Sequence, residues 1–201
     1  RLDETAKHVV AAGGEVLPLY GSATEPETVR GHYAAIKKAW GGLDWAVLNA
    51  GVGDSMDAKA FSAEAVCWTF ETNIFGVSYW LEAVIPDMIA QGSGTIAAVA
   101  SLAGFRGLPK SGPYCASKAA LITLLESTRI DLRGTGVSVV TVCPGFVRSE
   151  MTHRNLVGSM PFLMDTDDGV AAMLAGIDAR RRVVHLPWQL SYPMKYLAPA
   201  I

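Results

Sequence analysis

The chain has 201 residues, half of them hydrophobic, which suits one globular domain with a sizeable core. Its formal net charge is −2 and its charged residues are scattered, so the composition argues against nucleic-acid and membrane partners and favours a small-molecule partner. The apolar runs are too short to cross a bilayer. Three cysteines in apolar sequence predict buried, reduced thiols in a cytoplasmic protein, and four histidines without ligand spacing argue against a metal site.

Helical and strand patterns alternate along the chain. We predict helices over residues 2–12, 26–40, 63–90, about 112–134 and 168–179. Strands are predicted between and after them, over residues 15–20, 44–48, 95–100, 137–142 and 182–186. Short apolar strands alternating with longer helices are typical of a parallel sheet covered by helices on both faces. The predicted fold class is therefore α/β.

Polar residues and turns follow three of these strands. Asn49, Ser101 and Pro144 each lie just past a predicted strand end. In open parallel sheets ligands bind beyond the carboxyl ends of the strands, so we expect these positions to meet at one crevice.

The segment from Ser101 to Lys118 contains the chemically most informative pattern. Tyr114 follows Ser101 by thirteen positions and Lys118 follows Tyr114 by four, which places the phenol and the ammonium on adjacent turns of one helix face, about 6 Å apart along the axis. Using a tyrosine as a proton donor and acceptor near neutral pH requires lowering its pKa by roughly 3 units, about 4 kcal/mol, and a nearby cation supplies part of this. Taken alone, the pair more often means a solvated lysine on a helix surface, because short motifs match by chance.

The chain resembles the short-chain dehydrogenase/reductase family through five motifs that occur in the same order. Members of this family are NAD(P)-dependent oxidoreductases with a Rossmann fold. The motifs are Leu48-Asn49-Ala50-Gly51, Asn73 in its helix, Ser101, Tyr114-Cys115-Ala116-Ser117-Lys118, and Pro144-Gly145-Phe146-Val147. The resemblance implies a single Rossmann-like domain over residues 1–201, with a doubly wound parallel sheet in three α/β/α layers.

The resemblance also assigns catalytic roles. Tyr114 is implied to exchange a proton with the substrate oxygen while a hydride moves to or from the nicotinamide, and Ser101 to hydrogen-bond that oxygen. Lys118 is implied to lower the pKa of Tyr114 and to hold the nicotinamide ribose. Asn73 is implied to bind a water that relays the proton.

Cofactor contacts are implied at further positions, namely Arg1, Ser22, Asn49, Ala50, Gly51, Tyr114, Lys118, Pro144, Gly145, Val147 and Ser149. Arg1 resembles the end of an arginine-containing segment that favours the 2′-phosphate, so we prefer NADP over NAD. The Gly-rich fingerprint that precedes these motifs in the family is absent from this sequence, together with the first two strands and the first helix. We therefore expect the 201 residues to be part of a longer chain.

Residues 146–165 are predicted to form a substrate lid, and its methionines and other apolar residues suggest a bulky or apolar carbonyl or alcohol substrate. The same side chains are as compatible with simple packing of the lid on the core. Residues 188–196 form an aromatic, apolar segment that could cover a partner subunit or a membrane surface. By resemblance, the helices carrying Asn73 and Tyr114 pair across a dimer interface, which predicts a homodimer or homotetramer.

Two other functions remain open at this point. One is a nonenzymatic scaffold that kept the fold and lost the nucleotide site. The other is a serine hydrolase using Ser101 or Ser117 beside Lys118, although the sequence has no G-x-S-x-G motif and no histidine with an evident role.

Overall fold

The computed structural model describes residues 2–154 and 160–197, without the side chains of residues 153, 154 and 197. The helices are α1 (Leu2–Ala11), α2 (Pro26–Trp40), α3 (Ala63–Phe70), α4 (Gly76–Gln91), α5 (Gly112–Asp131), α6 (Glu150–Arg154), α7 (Thr166–Asp178) and α8 (Trp188–Tyr192). The strands are β1 (Trp45–Leu48), β2 (Gly94–Val99), β3 (Val137–Pro144) and β4 (Val183–Leu186). Short 3₁₀ turns span Ala58–Ala60 and Leu102–Gly104, and π-helical turns span Glu71–Phe75 and Pro193–Leu197.

The four strands form one parallel sheet in the order β1-β2-β3-β4. Parallel neighbours need crossover connections, which α4, α5 and the α6–α7 segment provide. The predicted α/β class with a parallel sheet is therefore confirmed. No helix of the part of the chain that the structure describes is long and apolar enough to span a membrane.

The core lies on both faces of the sheet because β2 and β3 are apolar at consecutive positions. On one face, Ile96 and Val139 pack with α4 and α5 through Val84 and Leu125. On the other face, Val140 and Val142 pack with Ile177 of α7. Helices thus cover the two central strands from both sides, as expected for buried parallel strands.

The strand predicted over residues 15–20 is wrong. Residues 14–20 have no regular secondary structure and belong to no β-ladder. A strand needs a hydrogen-bonded neighbour, and among the described residues the only strand beside β1 is β2. The outer edge of β1 is consequently open, with Trp45 39% and Val47 47% exposed.

The single long helix predicted over residues 63–90 is α3, the π-helical turn Glu71–Phe75 and α4 in direct succession. The Ser62 hydroxyl caps the start by accepting a hydrogen bond from the Ala65 N–H at 3.1 Å. Gly92 ends it with a left-handed φ of 70°. The π turn contains Asn73, and such turns inside helices are frequent at functional sites.

Candidate active site

Ser101 and Tyr114 meet at the carboxyl rim of the sheet. Ser101 lies two residues past the end of β2, and Tyr114 lies in the first turn of α5. The Ser101 hydroxyl accepts a hydrogen bond from the Ala103 N–H at 3.1 Å and lies 3.5 Å from the Pro144 carbonyl oxygen at the end of β3. The Tyr114 phenol lies near this hydroxyl, and their interaction lowers the pKa of the phenol. Residues from three separate elements therefore converge as the sequence predicted.

The environment of Tyr114 differs from the expectation. Burial is the largest influence and raises the pKa of the Tyr114 phenol, while the hydrogen bond to Ser101 opposes the rise. Lys118 is not among the groups that shift this pKa; its Nζ lies 5.7 Å from the centroid of the Tyr114 ring. Burial thus raises the pKa of Tyr114 in this structure, and the role of Lys118 in lowering that pKa stays a prediction.

Lys118 is itself buried, with only 3% of its surface exposed. Its ammonium donates a hydrogen bond to the Val99 carbonyl oxygen at 2.8 Å. Burial lowers the pKa of Lys118 to about 8. A buried lysine fixed in this way cannot be the solvated surface residue that the helical spacing alone allowed.

Asn73 connects the loop after β1 to the helix that carries Tyr114. Its Oδ1 accepts a hydrogen bond from the Val52 N–H at 2.8 Å, and its Nδ2 donates to the Val52 carbonyl and to the Ser117 hydroxyl, both at 2.9 Å. Ser117 in turn donates to the Tyr114 carbonyl at 2.8 Å. Both amide hydrogens of Asn73 are therefore used within the protein, and its water-binding role stays a prediction.

Two glycines allow the loop after β1 to approach the catalytic side chains. A Cβ on Gly51 would lie 3.2 Å from Lys118 Nζ and 3.4 Å from Asn73 Oδ1. A Cβ on Gly53 would lie 2.5 Å from Tyr114 Cδ2, which is too close for any real contact. The sequence reasoning missed Gly53, although the spacing Gly51-x-Gly53 directly after a predicted strand was a usable signal of close backbone approach.

The cofactor positions predicted after β1 line an open groove. Asn49 and Ala50 share this groove with Ala23, and its volume is about 300 Å³. Ser22 precedes Ala23 in the sequence. Its hydroxyl accepts a hydrogen bond from the Thr24 N–H at 3.2 Å and contacts the Thr24 hydroxyl at 2.8 Å. Asn49, Ala50 and Ala23 thus border an open groove, and Ser22 and Thr24 supply hydroxyl groups beside it. Arg1 lies outside the described residues.

The cofactor positions predicted after β3 lie at the same rim. The Gly145 N–H donates to the Leu186 carbonyl at 2.7 Å, and a Cβ on Gly145 would meet Leu102 at 3.1 Å. Val147 forms an isolated bridge with Met164. Ser149 is exposed, and its backbone N–H donates to the Thr152 hydroxyl at 2.8 Å. The structure thus places Gly145 directly after Pro144, whose carbonyl oxygen lies 3.5 Å from the Ser101 hydroxyl, whereas Ser149 has only local hydrogen bonds among the described residues.

The predicted lid, residues 146–165, is held at its base. Arg148 forms an ion pair with Asp165 at 2.6 Å, and the Thr166 hydroxyl donates to the Arg148 carbonyl at 2.9 Å. Met164 packs against the core, whereas Phe162 is 53% exposed. Residues 155–159, which include Leu156 and Val157, lie outside the described residues.

The cysteines match the expectation in part. Cys67, Cys115 and Cys143 are free thiols, but Cys67 is exposed rather than buried. It lies on α3, whose outer face also carries Trp68 at 42% exposure.

The environment of Ser117 argues against its use as the nucleophile of a serine hydrolase. Its hydroxyl is fully buried and engaged with Asn73 and the Tyr114 carbonyl, so it cannot attack a substrate. Ser101 contacts a tyrosine instead of a base, because the Lys118 ammonium is directed to Val99.

Comparison with known proteins agrees with this geometry. Residues 1–157 match the family model described as short chain dehydrogenase. An uncharacterized oxidoreductase of Myxococcus xanthus is 44% identical over 185 residues, covering 92% of this chain and 73% of that protein. A 2-(R)-hydroxypropyl-CoM dehydrogenase of Xanthobacter autotrophicus is 31% identical over 159 residues, covering 77% of this chain and 64% of that protein.

A solved structure is also similar over nearly the whole chain. It is a short chain dehydrogenase/reductase from Burkholderia phymatum in complex with NAD, with a TM-score of 0.86 and 25% identity. The superposition covers 96% of this chain and 79% of that one.

Proposed function

Because the chain belongs to the short-chain dehydrogenase/reductase family of oxidoreductases, we propose that its rim site interconverts a carbonyl and an alcohol with NAD(P). The observation that carries the proposal is the pair formed by Ser101 and Tyr114 beside the buried Lys118 ammonium. This arrangement offers a proton donor and a fixed hydrogen-bond partner for one substrate oxygen. The nicotinamide, when bound, supplies or accepts the hydride.

Tyr114 acts as the general acid in reduction. Its raised pKa keeps the phenol protonated near neutral pH, so the group is ready to donate its proton to an oxygen that gains negative charge. Ser101 holds the same oxygen, since its hydroxyl already contacts the phenol. In the oxidative direction the ionised phenolate would accept the proton of the alcohol.

Lys118 holds the ribose hydroxyls of the cofactor. Its pKa of about 8 leaves most molecules charged at neutral pH, and the hydrogen bond to Val99 fixes the ammonium beside Gly51. Asn73 maintains the loop that brings Gly51 and Gly53 against these side chains. A proton relay through water at Asn73 completes the proposed site.

The residues present fit the nicotinamide half of the cofactor. Gly51 and Gly145 allow close backbone approach at the rim, and Asn49 and Ala50 border the groove along β1. In the segment after β3, Pro144, Val147 and Ser149 are the proposed cofactor contacts, and Ser22 is the candidate contact for the adenine half. Arg1 supports a preference for NADP.

The substrate is proposed to be apolar. Met151, Phe162 and Leu163 of the lid are each at least one third exposed, although their segment is attached to the core through Met164. Apolar side chains that stay accessible beside a polar catalytic pair suit a carbonyl compound with a hydrophobic body.

A homo-oligomer is proposed from the outer faces of the helices around Asn73 and Tyr114. Trp68, Phe75 and Ile130 on these helices are 42%, 48% and 52% exposed. Large apolar side chains of this exposure are typical of subunit contacts.

Isotope transfer tests the proposed reaction. The protein is incubated with a panel of aldehydes and ketones and with NADPH or NADH in which both hydrogens of the hydride-donating carbon are deuterium, and each alcohol product is analysed by mass spectrometry. We expect one deuterium on the former carbonyl carbon. Alcohol without deuterium, or no turnover of the panel with either cofactor in either direction, contradicts the proposal.

A further inference from the structure

A polar pocket lies at the end of the sheet opposite the catalytic residues. Its volume is about 590 Å³, and it is bordered by the last turns of α5, the beginning of β3 and the segment that joins α7 to β4. Ser101 and Pro144 lie at the other ends of β2 and β3, so the pocket is separate from the catalytic rim.

Four arginines line this pocket, which we call the arginine pocket: Arg129, Arg133, Arg180 and Arg182. They come from two parts of the chain, the end of α5 and the segment between α7 and β4. Glu126 is the only acidic residue among the lining residues, which leaves an excess of three positive charges in a chain whose net charge is −2.

Arg129 is fixed at the inner wall of the pocket. Its Nε donates to the Val139 carbonyl at 2.7 Å, and its Nη2 donates to the Thr141 hydroxyl at 2.6 Å. The guanidinium is therefore preorganised without an ion pair to a carboxylate. Burial and the nearby charge of Arg182 both lower the pKa of Arg129, while Glu126 opposes them.

The outer arginines carry charge that nothing in the described chain neutralises. Arg133, Arg180 and Arg182 are exposed, and their side chains form no ion pair or hydrogen bond with the residues that the structure describes. Planar guanidinium groups of this kind bind phosphate and carboxylate oxygens in a bidentate manner. Like charges gathered around a concave surface are relieved when a multivalent anion binds there.

We propose that the arginine pocket binds a small anion with two or more negative charges, of the polyphosphate or phosphate-ester class. The pocket has the volume of a small-molecule site, and its arginines can contact separate oxygens of one ligand from several directions. Arg129 would form the fixed inner contact, and Arg133 and Arg182 would close over the ligand from the two adjoining segments.

Isothermal titration calorimetry at constant ionic strength tests the proposal. Inorganic pyrophosphate and a hexose bisphosphate are titrated into the wild-type protein, and whichever binds more tightly distinguishes an inorganic from an organic source of phosphate. We expect saturable binding of at least one probe and at least about tenfold weaker binding in the double variant Arg133→Gln/Arg182→Gln, since charge-assisted hydrogen bonds contribute about tenfold or more each.

Arg181→Gln is the matched control. Arg181 is exposed and lies between two pocket arginines, but it does not line the pocket. Its substitution removes one positive charge next to the pocket, half of the charge lost in the double variant, and should change the dissociation constant less than about twofold. The proposal is overturned if the wild type binds neither probe in the millimolar range, if the double variant binds as tightly as the wild type, or if the control variant loses as much affinity as the double variant.

Discussion

Replacing Gly53 with alanine should displace Tyr114 and slow catalysis about 100-fold. The added Cβ would lie 2.5 Å from Cδ2, 3.1 Å from Cγ and 3.2 Å from Cε2 of the tyrosine ring. Restoring ordinary contact distances requires a ring shift of about 1 Å, because nonbonded carbons rest near 3.5 Å or more. A misplacement of about 1 Å can cost about 100-fold in rate, or about 2.7 kcal/mol.

The assay separates displacement of Tyr114 from a general loss of structure. Steady-state kcat and KM, the cofactor dissociation constant and the thermal midpoint are measured for Gly53→Ala and for Gly107→Ala, whose added Cβ has no atom within 4 Å. We expect kcat to fall only in Gly53→Ala, with cofactor affinity little changed. Wild-type kcat in Gly53→Ala, or an equal loss in Gly107→Ala, refutes the argument that Gly53 positions Tyr114.

Three further outcomes are expected. The side-chain resonance of Lys118 can be assigned in ¹³C NMR by its loss in Lys118→Met. It should titrate near pH 8 in the cofactor-free protein, with the charged form present below that pH. A midpoint near the ordinary lysine value of about 10.4 contradicts the effect of burial. Asn73→Ala should lower the free energy of unfolding in urea by about 2 to 4 kcal/mol, because it leaves buried backbone groups unpaired, and a change below about 0.5 kcal/mol contradicts this. Iodoacetamide should modify exposed Cys67 first, since burial raises the pKa of Cys115 and raises that of Cys143 to about 12; equal labelling of the three by peptide mass spectrometry would exclude this order.

Much of the fold is encoded in local sequence signals. The predicted bounds of α2 coincide with the structure because Pro26 begins the helix and Gly41 ends it with a left-handed φ of 82°. The strands β2 and β3 were recognisable as uninterrupted apolar runs, which both faces of a parallel sheet require.

Other features depend on tertiary contacts that local patterns do not specify. Residues 15–20 have the apolar composition of a strand, but strand formation requires a neighbouring ladder, which the described chain does not provide there. The π turn around Asn73 reflects hydrogen bonds to Val52 and Ser117, which are distant in sequence. Helical spacing placed Lys118 near Tyr114 but could not show that its ammonium is directed to Val99.

The sequence predicted which residues form the candidate site, but it did not predict the directions of their pKa shifts. The spacing of Ser101, Tyr114 and Lys118 identified the groups that meet at the rim. The depth of burial decides the direction of the pKa shifts, and burial emerges only when β2, β3 and α5 pack together. The glycine spacing after β1 indicated a close backbone approach, but only the structure shows that Tyr114 is the side chain that Gly53 faces.

The most direct test of the proposed chemistry is the substitution Tyr114→Phe in the intact enzyme, which removes the phenolic hydroxyl and keeps the ring. General acid catalysis commonly contributes about 10²- to 10⁴-fold, so kcat for carbonyl reduction should fall by a factor in that range. Cofactor affinity and the thermal midpoint should stay close to those of the wild type. If Tyr114→Phe retains wild-type kcat, Tyr114 is not the proton donor and the proposed mechanism is contradicted.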